Sequence, residues 1–331
     1  MNASAPAQDS RKLRFSFLGP RGTFCHAALN QVATDETATL LPAADVPGAL
    51  RMIREGKADY GVVPIENSVE GGVNATIDTL THGKPLEIIA EMVVPIAFAL
   101  AVRPGTQLAD IRRVGTHGHA WAQTRNWMAE HLPEAVHVPT TSTAAAARDL
   151  GAATGHAADF DAAICAVPTV AEYGLESLSN DIADNKNAVT RFILVGQPGE
   201  IPAPTGADKT TLMVQLPTNE AGALLRMLEQ FSARGVNLSR IESRPIGDSL
   251  GRYAFSIDAE AHVHEERMQA VMVGLHRVCP KVTFLGSYPA AHGRQFRLRP
   301  GTSDADFLTA RAWVGEILDR VSPNAGTRVA K

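Results

Sequence analysis

The sequence predicts an α/β protein with two parts: a two-lobed domain of alternating strands and helices, and a smaller ferredoxin-like domain of order βαββαβ. Three observations support this prediction. Short apolar runs alternate with amphipathic stretches between Arg14 and Gly196, which is typical of an α/β sheet. A long β-rich run, 85–102, interrupts the alternation. A segment rich in proline and glycine, 197–207, then precedes a different pattern, as a linker would.

The first domain begins with three strand–helix pairs. Apolar runs bounded by turn residues predict the strands, and apolar residues at helical spacing predict the helices. The predicted order is strand Phe15–Leu18, helix Thr23–Val32, strand Thr39–Leu41, helix Val46–Glu55, strand Tyr60–Val63 and helix Val73–Leu80. These elements belong to the first lobe, which we place at 14–91 and 176–196.

The run 85–102 is too long for one strand of a compact sheet, and we interpret it as a crossover between lobes. The second lobe, 92–175, repeats the alternation with a strand at Val114, helix Ala120–His131, strand Val136–Val138, helix Thr143–Leu150 and strand Ala162–Cys165. The chain then returns through Leu178–Ile182 and Arg191–Val195. Two lobes joined twice enclose a cleft, where ligands of such folds bind.

The second domain, 208–288, follows the ferredoxin-like order. Its predicted elements are strand Thr210–Leu216, helix Ala221–Ala233, strands Val236–Arg244 and Arg252–Ala259, helix Glu265–Val278 and strand Val282–Ser287. The tail, 289–331, holds a helix at about 303–320 that Ser303 can cap. Its apolar face would be Phe307, Ala310, Val314, Ile317 and Leu318. Residues 1–13 lack an apolar core and are interpreted as a disordered leader, not a secretory signal.

Composition narrows the class of protein. The chain has 331 residues, of which 45% are hydrophobic and 20% charged, as is ordinary for a soluble globular protein. A net charge of −4 without a basic stripe argues against a nucleic-acid partner. The longest apolar stretch, Ile88–Val102, is broken by a glutamate and a proline and is too short to span a membrane. Three widely spaced cysteines, Cys25, Cys165 and Cys279, favour a reducing cytoplasm and argue against a zinc site.

The segment from Asp184 to Phe192 is the most informative in the chain. It leads into a short apolar run that ends at Gly196, so Thr190 and Arg191 should lie at the mouth of a buried strand. A hydroxyl can donate a hydrogen bond to an oxygen leaving group, and a guanidinium can hold a carboxylate. Alone, the tripeptide Thr190-Arg191-Phe192 is better explained as a strand edge with one polar and one basic residue facing solvent, because three-residue matches are common.

Four other segments place polar groups where a strand ends or a helix begins. They are Gly19–Phe24, Pro64–Ser68, Thr116–Gln123 and Thr140–Thr143. Backbone N–H groups at a helix start favour anions. Each segment also has a purely structural interpretation: a tight turn for the first, and helix caps for Ser68, Thr116 and Ser142. His117 and His119 could suggest a metal, but no third ligand of suitable spacing lies nearby in the sequence.

Together these segments resemble the prephenate dehydratase family. Gly19–Phe24 is similar to its Gly-Pro-x-Gly-Thr-Phe motif, and Pro64–Ser68 to Pro-Ile-Glu-Asn-Ser. Asn187–Phe192 resembles Asn-x-Thr-Arg-Phe, stretched here by one residue. Gly222–Leu225 and Glu242–Pro245 resemble the Gly-Ala-Leu and Glu-Ser-Arg-Pro motifs of the family's regulatory ACT domain. The resemblance covers about Phe15 to Tyr288.

The chain departs from the family at two places. Where the family often has Ser-His-Pro-Gln-Ala-Leu-Ala-Gln, this chain reads Thr116–Gln123, so His119 replaces a glutamine. Thr116 keeps the hydroxyl and Gln123 keeps the amide. Cys25 stands where serine is common in the family, at a helix start that could lower its pKa. The reaction that the resemblance implies needs no covalent intermediate on this thiol.

The resemblance implies conversion of prephenate to phenylpyruvate with loss of water and carbon dioxide, without cofactor or metal. Thr190 would assist the departing hydroxyl, with His117 as the alternative proton source. Arg191 and backbone N–H groups near Thr23 would hold the pyruvyl carboxylate, and Glu66 would be paired. The implied catalytic residues are Thr190, Arg191, Asn67, Glu66, Thr116 and Gln123, and the substrate-binding residues are Thr23, Ser68, His117, Ser142 and Phe192.

The resemblance also implies inhibition by phenylalanine, bound between ACT domains of a dimer or tetramer. The expected effector residues are Gly222, Ala223, Leu224, Leu225, Glu242, Ser243, Arg244 and Pro245. Three other interpretations are open. A two-lobed solute receptor of the periplasmic-binding-protein type would need a signal segment. A non-catalytic amino-acid sensor would need only the second domain. A prephenate dehydrogenase would need a dinucleotide motif, which this sequence lacks.

Overall fold

The computed structural model describes residues 11–152, 159–217, 220–246 and 253–321. The chain forms two units, Met1–Gly199 and Glu200–Lys331. Most of the predicted leader, residues 1–10, lies outside the described part. Within that part, no helix has the length and apolar character needed to cross a bilayer.

The first unit alternates strands and helices as the sequence predicts. Its elements are β1 Arg14–Leu18, α1 Phe24–Leu29, β2 Thr39–Ala43, α2 Val46–Arg54, β3 Tyr60–Asn67, β4 Gly71–Gly72, α3 Asn74–Thr81, β5 Glu87–Pro95, β6 Phe98–Val102, β7 Arg113–Thr116, α4 Gly118–Ala122, α5 Arg125–His131, β8 Val136–Pro139, α6 Thr143–Gly151, β9 Ala162–Ala166, α7 Val167–Glu172, β10 Glu176–Ser179 and β11 Val189–Gly196. The short helix α7 was not predicted. The helices α1, α2, α4 and α6 begin at a residue whose side chain caps the helix.

These strands form two sheets. The first has the order β2-β1-β3-β11-β5, with β4 added beside β3, and the second has the order β10-β6-β9-β7-β8. β11 runs antiparallel to both of its neighbours, β3 and β5. The N-terminal end of β11 therefore lies beside the C-terminal ends of those two strands.

The long β-rich run crosses from one sheet to the other. β5 belongs to the first sheet and β6 to the second, so the change falls at residues 96–97 rather than at the predicted 91/92. The return falls between Ser179 and Val189 rather than at 175/176, because β10 pairs antiparallel with β6. A strand's sheet is decided by its hydrogen-bond partner, which the pattern of apolar residues does not reveal.

Several predicted elements of the first unit differ in length: α1 ends at Leu29 instead of Val32, and two others differ for a cause that the structure shows. β3 continues to Asn67 because its last residues pair with both β4 and β11. The predicted helix Ala120–His131 is two helices, separated at Gln123 and Thr124. The Asp184 carboxylate accepts hydrogen bonds from the backbone N–H groups of Asn126 and Trp127, at 3.2 and 3.4 Å. This distant side chain caps a new helix start, which a local pattern could not predict.

The second unit contains the predicted strands and helices in the predicted order. Its elements are β12 Asp208–Gln215, α8 Ala223–Ser232, β13 Leu238–Pro245, β14 Tyr253–Ala259, α9 Glu266–Val278, β15 Lys281–Pro289 and α10 Asp304–Leu318. The strands form an antiparallel sheet of order β13-β14-β12-β15, and α8 and α9 pack on it through Met227, Phe231, Met268 and Leu275. The predicted strand start at Arg252 lies outside the described residues.

The tail helix α10 begins as predicted but does not bury its apolar face. The Ser303 hydroxyl accepts a hydrogen bond from the Asp306 N–H, and the Asp306 carboxylate accepts one from the Ser303 N–H. Phe307 is half-buried, whereas Val314, Ile317 and Leu318 are exposed. An ion pair between Arg311 and Glu266, at 2.5 Å, joins the helix to α9.

Candidate active site

A cavity of about 330 Å³ in the first unit is lined by residues from the elements of both sheets. This volume is within the range of small-molecule sites. Seven of the eleven residues predicted to act on substrate line it: Thr190, Asn67, Gln123, Thr23, His117, Ser142 and Phe192. Arg191, Glu66, Thr116 and Ser68 are not among the lining residues.

Thr190 and Asn67 form the polar floor of this cavity. They face each other across the β3–β11 pair, and the Asn67 amide Nδ2 donates a hydrogen bond to the Thr190 Oγ1 at 2.8 Å. The Asn67 Oδ1 accepts from the backbone N–H groups of Val69 and Glu70, which fixes the amide so that its NH₂ group points at Thr190. Because the Thr190 oxygen acts here as an acceptor, its own proton remains available for a ligand.

A β-bulge explains which residues of β3 face the cavity. The register shifts between Arg191, which pairs with Glu66, and Phe192, which pairs with Pro64, so Ile65 is the extra residue. Pro64 and Asn67 both line the cavity although they are three positions apart, which strict alternation along a strand would forbid. Asn67, which was predicted to follow the strand, is its last residue.

Arg191 lies among carboxylates. Its Nε donates to the Glu91 Oε2 at 2.5 Å, and its Nη1 lies 3.4 Å from the Glu66 Oε2. The Glu91 side chain is 1% exposed and that of Arg191 is 9% exposed. Successive strand residues point to opposite faces, so Thr190 lines the cavity and Arg191 does not. Glu66 is paired, as the sequence analysis expects.

Another part of the lining comes from α4 and the residues that flank it. His117 is its N-cap, and the His117 Nδ1 accepts from the His119 N–H at 3.3 Å. Burial is the largest effect on the His117 pKa and lowers it, and the neighbouring His119 lowers it further. His117 is therefore biased toward its neutral form. The Gln123 Nε2 donates to the Glu70 Oε1 at 3.4 Å.

Two helix starts complete the polar lining. Thr23 caps α1 by accepting from the His26 N–H at 3.2 Å, and Ser142 caps α6 by accepting from the Ala145 N–H at 3.0 Å. The cap at Ser142 is the structural role that the sequence left open, whereas the cap at Thr23 was not predicted. Both residues also line the cavity.

Two predicted contact residues have other roles. The Thr116 hydroxyl, fully buried, donates to the Ile164 carbonyl at 2.8 Å, and His117, not Thr116, caps α4. The Ser68 hydroxyl accepts from the Val189 N–H at 3.0 Å, and α3 begins at Val73 without a side-chain cap. Both hydroxyls hold strands in place instead of capping helices.

Cys25 lines the cavity as a neutral thiol. Its Sγ donates to the Val62 carbonyl at 3.1 Å, and burial raises its pKa to about 12. The expected lowering of the pKa by the helix start is corrected: loss of hydration outweighs the dipole of a six-residue helix. A neutral thiol is a poor nucleophile.

Neither Glu70 nor a contact of His119 was predicted from the sequence. The His119 Nδ1 lies 2.9 Å from the Glu70 Oε2, and both residues line the cavity. The only available signal was position, since Glu70 lies three residues after Asn67 and just before Gly71-Gly72. Among the residues described, no group of three His, Cys, Asp or Glu side chains is arranged to hold a metal ion.

The expected effector residues of the second unit occupy two places. Gly222 has a φ of 84° and precedes α8, where Leu224 and Leu225 are 39% and 60% exposed. Glu242–Pro245 ends β13, an edge strand of the described sheet. A larger cavity of about 520 Å³ in this unit is lined by residues of α8, β13 and segment 296–299, and by none of the expected effector residues.

The first unit is therefore an α/β body whose cavity can bind a small polar molecule and offer it hydroxyl, amide and imidazole groups. The family model for prephenate dehydratase matches residues 15–200, which include all of the cavity's lining. The chain belongs to the prephenate dehydratase family, whose members are carbon–oxygen lyases. An amino-acid sensor without catalytic function would not require this unit.

Two individual relatives agree with this assignment, and a third similar protein is named for a different activity. A prephenate dehydratase of Mycolicibacterium vanbaalenii is 42% identical over 287 residues, covering 83% of this chain and 90% of that protein. The crystal structure of the prephenate dehydratase of Arthrobacter aurescens, in complex with L-Phe, is 53% identical with a TM-score of 0.87, covering 93% of this chain and all of that one. The solved structure of a quorum-quenching acylase is 28% identical with a TM-score of 0.75, covering 84% of this chain and 98% of that one.

Proposed function

We propose that this chain converts prephenate to phenylpyruvate, with Thr190 as the hydrogen-bond donor to the departing hydroxyl. The carbon–carbon bond to the ring carboxylate breaks, its electron pair completes the aromatic ring, and hydroxide leaves from the opposite ring carbon. The departing hydroxide takes up one proton from the solvent, so the other products are carbon dioxide and water. The observation that carries the proposal is the Thr190 hydroxyl in the cavity, oriented by Asn67 at 2.8 Å.

Assistance to the hydroxide is what the reaction requires. Hydrogen-bond donation from a positioned group accelerates such a step by about 10²–10⁴. A threonine hydroxyl is a very weak acid, so Thr190 donates a hydrogen bond in the transition state rather than giving up its proton completely. His117 is the alternative donor. Its lowered pKa makes it a weaker candidate as a resting acid near neutral pH.

The ring carboxylate must leave as a neutral molecule, so a tight grip on its charge would slow the reaction. The lining suits this requirement, because its apolar wall includes Phe24, Phe98 and Phe192. The pyruvyl end would be held near the start of α1, beside Thr23. Arg191 would act by positioning: its pairs with Glu91 and Glu66 hold the strands that carry Thr190 and Asn67.

The two sheets would form two lobes of the periplasmic-binding-protein type, with substrate in the cleft. The second unit would be an ACT domain that binds phenylalanine in a cytoplasmic dimer or tetramer. Its βαββαβ order, the left-handed Gly222 and the edge position of Glu242–Pro245 support this, since an open strand edge can pair with another chain. The L-Phe complex of the Arthrobacter protein supports phenylalanine as the effector.

The activity is tested by mixing the purified protein with prephenate, without any cofactor, and following phenylpyruvate. We expect turnover by the unchanged protein and a loss of at least about 100-fold in the Thr190→Ala variant. An Asn67→Ala variant should lose activity as well, because its amide orients the hydroxyl. Absence of turnover by the unchanged protein would reject the proposal.

Regulation is tested by titrating phenylalanine into the same assay. Gly222→Val places a branched side chain at a φ of 84°, which such residues rarely adopt, and Arg244→Ala removes a guanidinium from the edge strand. Both variants should keep basal activity and lose sensitivity to phenylalanine. Arg277→Ala, on the exposed end of α9, is the control. Full sensitivity in both Gly222 and Arg244 variants would refute this effector site.

A further inference from the structure

Charge is distributed unevenly around the cavity of the first unit. Among its described lining residues, Glu70 is the only carboxylate, and His117 and His119 are the only side chains that can carry positive charge. Prephenate, the substrate of the proposed function, carries two carboxylates. An ionised Glu70 without a counter-charge would repel both of them.

Glu70 is held by a group from each side of the cavity. Its backbone N–H donates to the Asn67 Oδ1 at 3.2 Å. Its Oε2 lies 2.9 Å from the His119 Nδ1, and its Oε1 accepts from the Gln123 Nε2 at 3.4 Å. Glu70 follows β3 of the first sheet. His119 lies in α4, which follows β7 of the second sheet, and Gln123 is the residue directly after that helix. The contact therefore joins the two sides.

This pair lies at the rim of the cavity. The side chains of His119 and Glu70 are 66% and 41% exposed while both line the cavity. An exposed ion pair contributes little to folding, about 0–1 kcal/mol. Stability alone is therefore a poor reason for a histidine here, where the related motif has glutamine.

We propose that His119 is a positioning residue that neutralises Glu70 and fixes it across the rim of the cavity, so that a dianionic substrate enters without facing an uncompensated carboxylate. Glu70 in turn holds Gln123. The inference rests on the proposed function, because it requires a substrate with two negative charges.

The test uses the full-length protein and steady-state kinetics with prephenate. The His119→Gln variant keeps a polar side chain of the kind found in the related motif but removes the counter-charge. The estimate takes the Glu70 carboxylate and one carboxylate of prephenate at about 8 Å from each other. At an effective dielectric constant of about 20–40, their repulsion weakens binding about 5- to 30-fold. We expect KM to rise by this factor with kcat almost unchanged, because the repulsion acts on the ground state and the transition state alike.

The double variant Glu70→Gln/His119→Gln gives the decisive result. With the carboxylate gone, no counter-charge is needed, and KM should return to within about threefold of the unchanged protein. The KM increase of His119→Gln alone should also shrink as salt is added, because exposed charges are screened. A role of His119 in folding, or in direct contact with substrate, predicts no such rescue. His276→Gln, on the exposed face of α9, and Glu130→Gln, 78% exposed on α5, are the matched controls.

Two outcomes would overturn the inference while the proposed function stands: a His119→Gln variant whose KM stays within twofold, or a double variant as impaired as His119→Gln. Absence of turnover by the unchanged protein would overturn the proposed function, and this inference with it.

Discussion

Replacing Thr190 by valine tests the central chemical step. Valine keeps the β-branched shape that suits a strand and removes only the hydroxyl. If the hydroxyl assists the departing hydroxide, its loss should lower kcat by about 10²–10⁴, equivalent to about 2.7–5.5 kcal/mol in the barrier. KM should change little, because the interaction is made mainly in the transition state.

The structure also sets the expected cost to folding, which is much smaller. The hydroxyl makes one hydrogen bond, from the half-buried Asn67 amide at 2.8 Å, and losing one such bond costs about 1 kcal/mol. A domain with a stability of about 5–15 kcal/mol remains folded after that loss. A large fall in kcat with a small fall in thermal midpoint would therefore separate chemistry from unfolding.

The assay measures phenylpyruvate formation and the thermal midpoint for each variant. Thr190→Ser should keep kcat within about tenfold, since it retains a hydroxyl donor. Thr39→Val, an exposed threonine on β2, should match the unchanged protein. The reasoning is refuted if Thr190→Val retains kcat within about fivefold, or if the serine variant is as slow as the valine variant.

Three other outcomes follow from the structure. Asn67→Asp should lower kcat at least about 30-fold, because a carboxylate would accept a hydrogen bond from the Thr190 hydroxyl instead of donating one to it. An unchanged kcat would contradict this role. Glu91→Gln should lower the free energy of unfolding by about 3 kcal/mol, since it leaves the buried Arg191 with a weakened partner. Urea unfolding measures this change. Equal urea midpoints for the variant and the unchanged protein would contradict a stabilising role of the Arg191–Glu91 pair. Burial is the main cause that lowers the pKa of His26. The unfolded chain then binds more protons below about pH 6.5, so stability should fall between about pH 7 and 5. His26→Gln should reduce this dependence of stability on pH. Urea midpoints measured between about pH 5 and 7 would contradict the role of His26 if they changed equally with pH in both proteins.

Much of the fold could be predicted because helix and strand patterns are local. The capping threonine and serines at Thr23, Ser142 and Ser303 mark the starts of α1, α6 and α10, and a side chain that binds its own helix start needs no distant partner. The order of elements in the second unit was predicted for the same reason. The break between α4 and α5 was missed because its cap, Asp184, comes from a segment about sixty residues away.

The candidate site was predicted in part. Thr190, Asn67 and Gln123 were expected to share a cleft, and all three line one cavity. The role of each neighbour was harder to predict, because it depends on which face of a strand a residue occupies. Arg191 was expected beside Thr190 at the ligand, and it lies instead with Glu91 and Glu66.

By itself the sequence determined the alternation of elements, the position of the linker and the motifs that identify the family. Each of these features depends only on the order and spacing of residues that are close together along the chain. Only the tertiary structure decided that Ile65 is bulged, so that Pro64 and Asn67 both reach the cavity. It also decided that Glu70 meets His119. The physical reason is that side-chain direction on a strand depends on register, and the partners of an ion pair are chosen by how two sheets approach rather than by nearness along the chain.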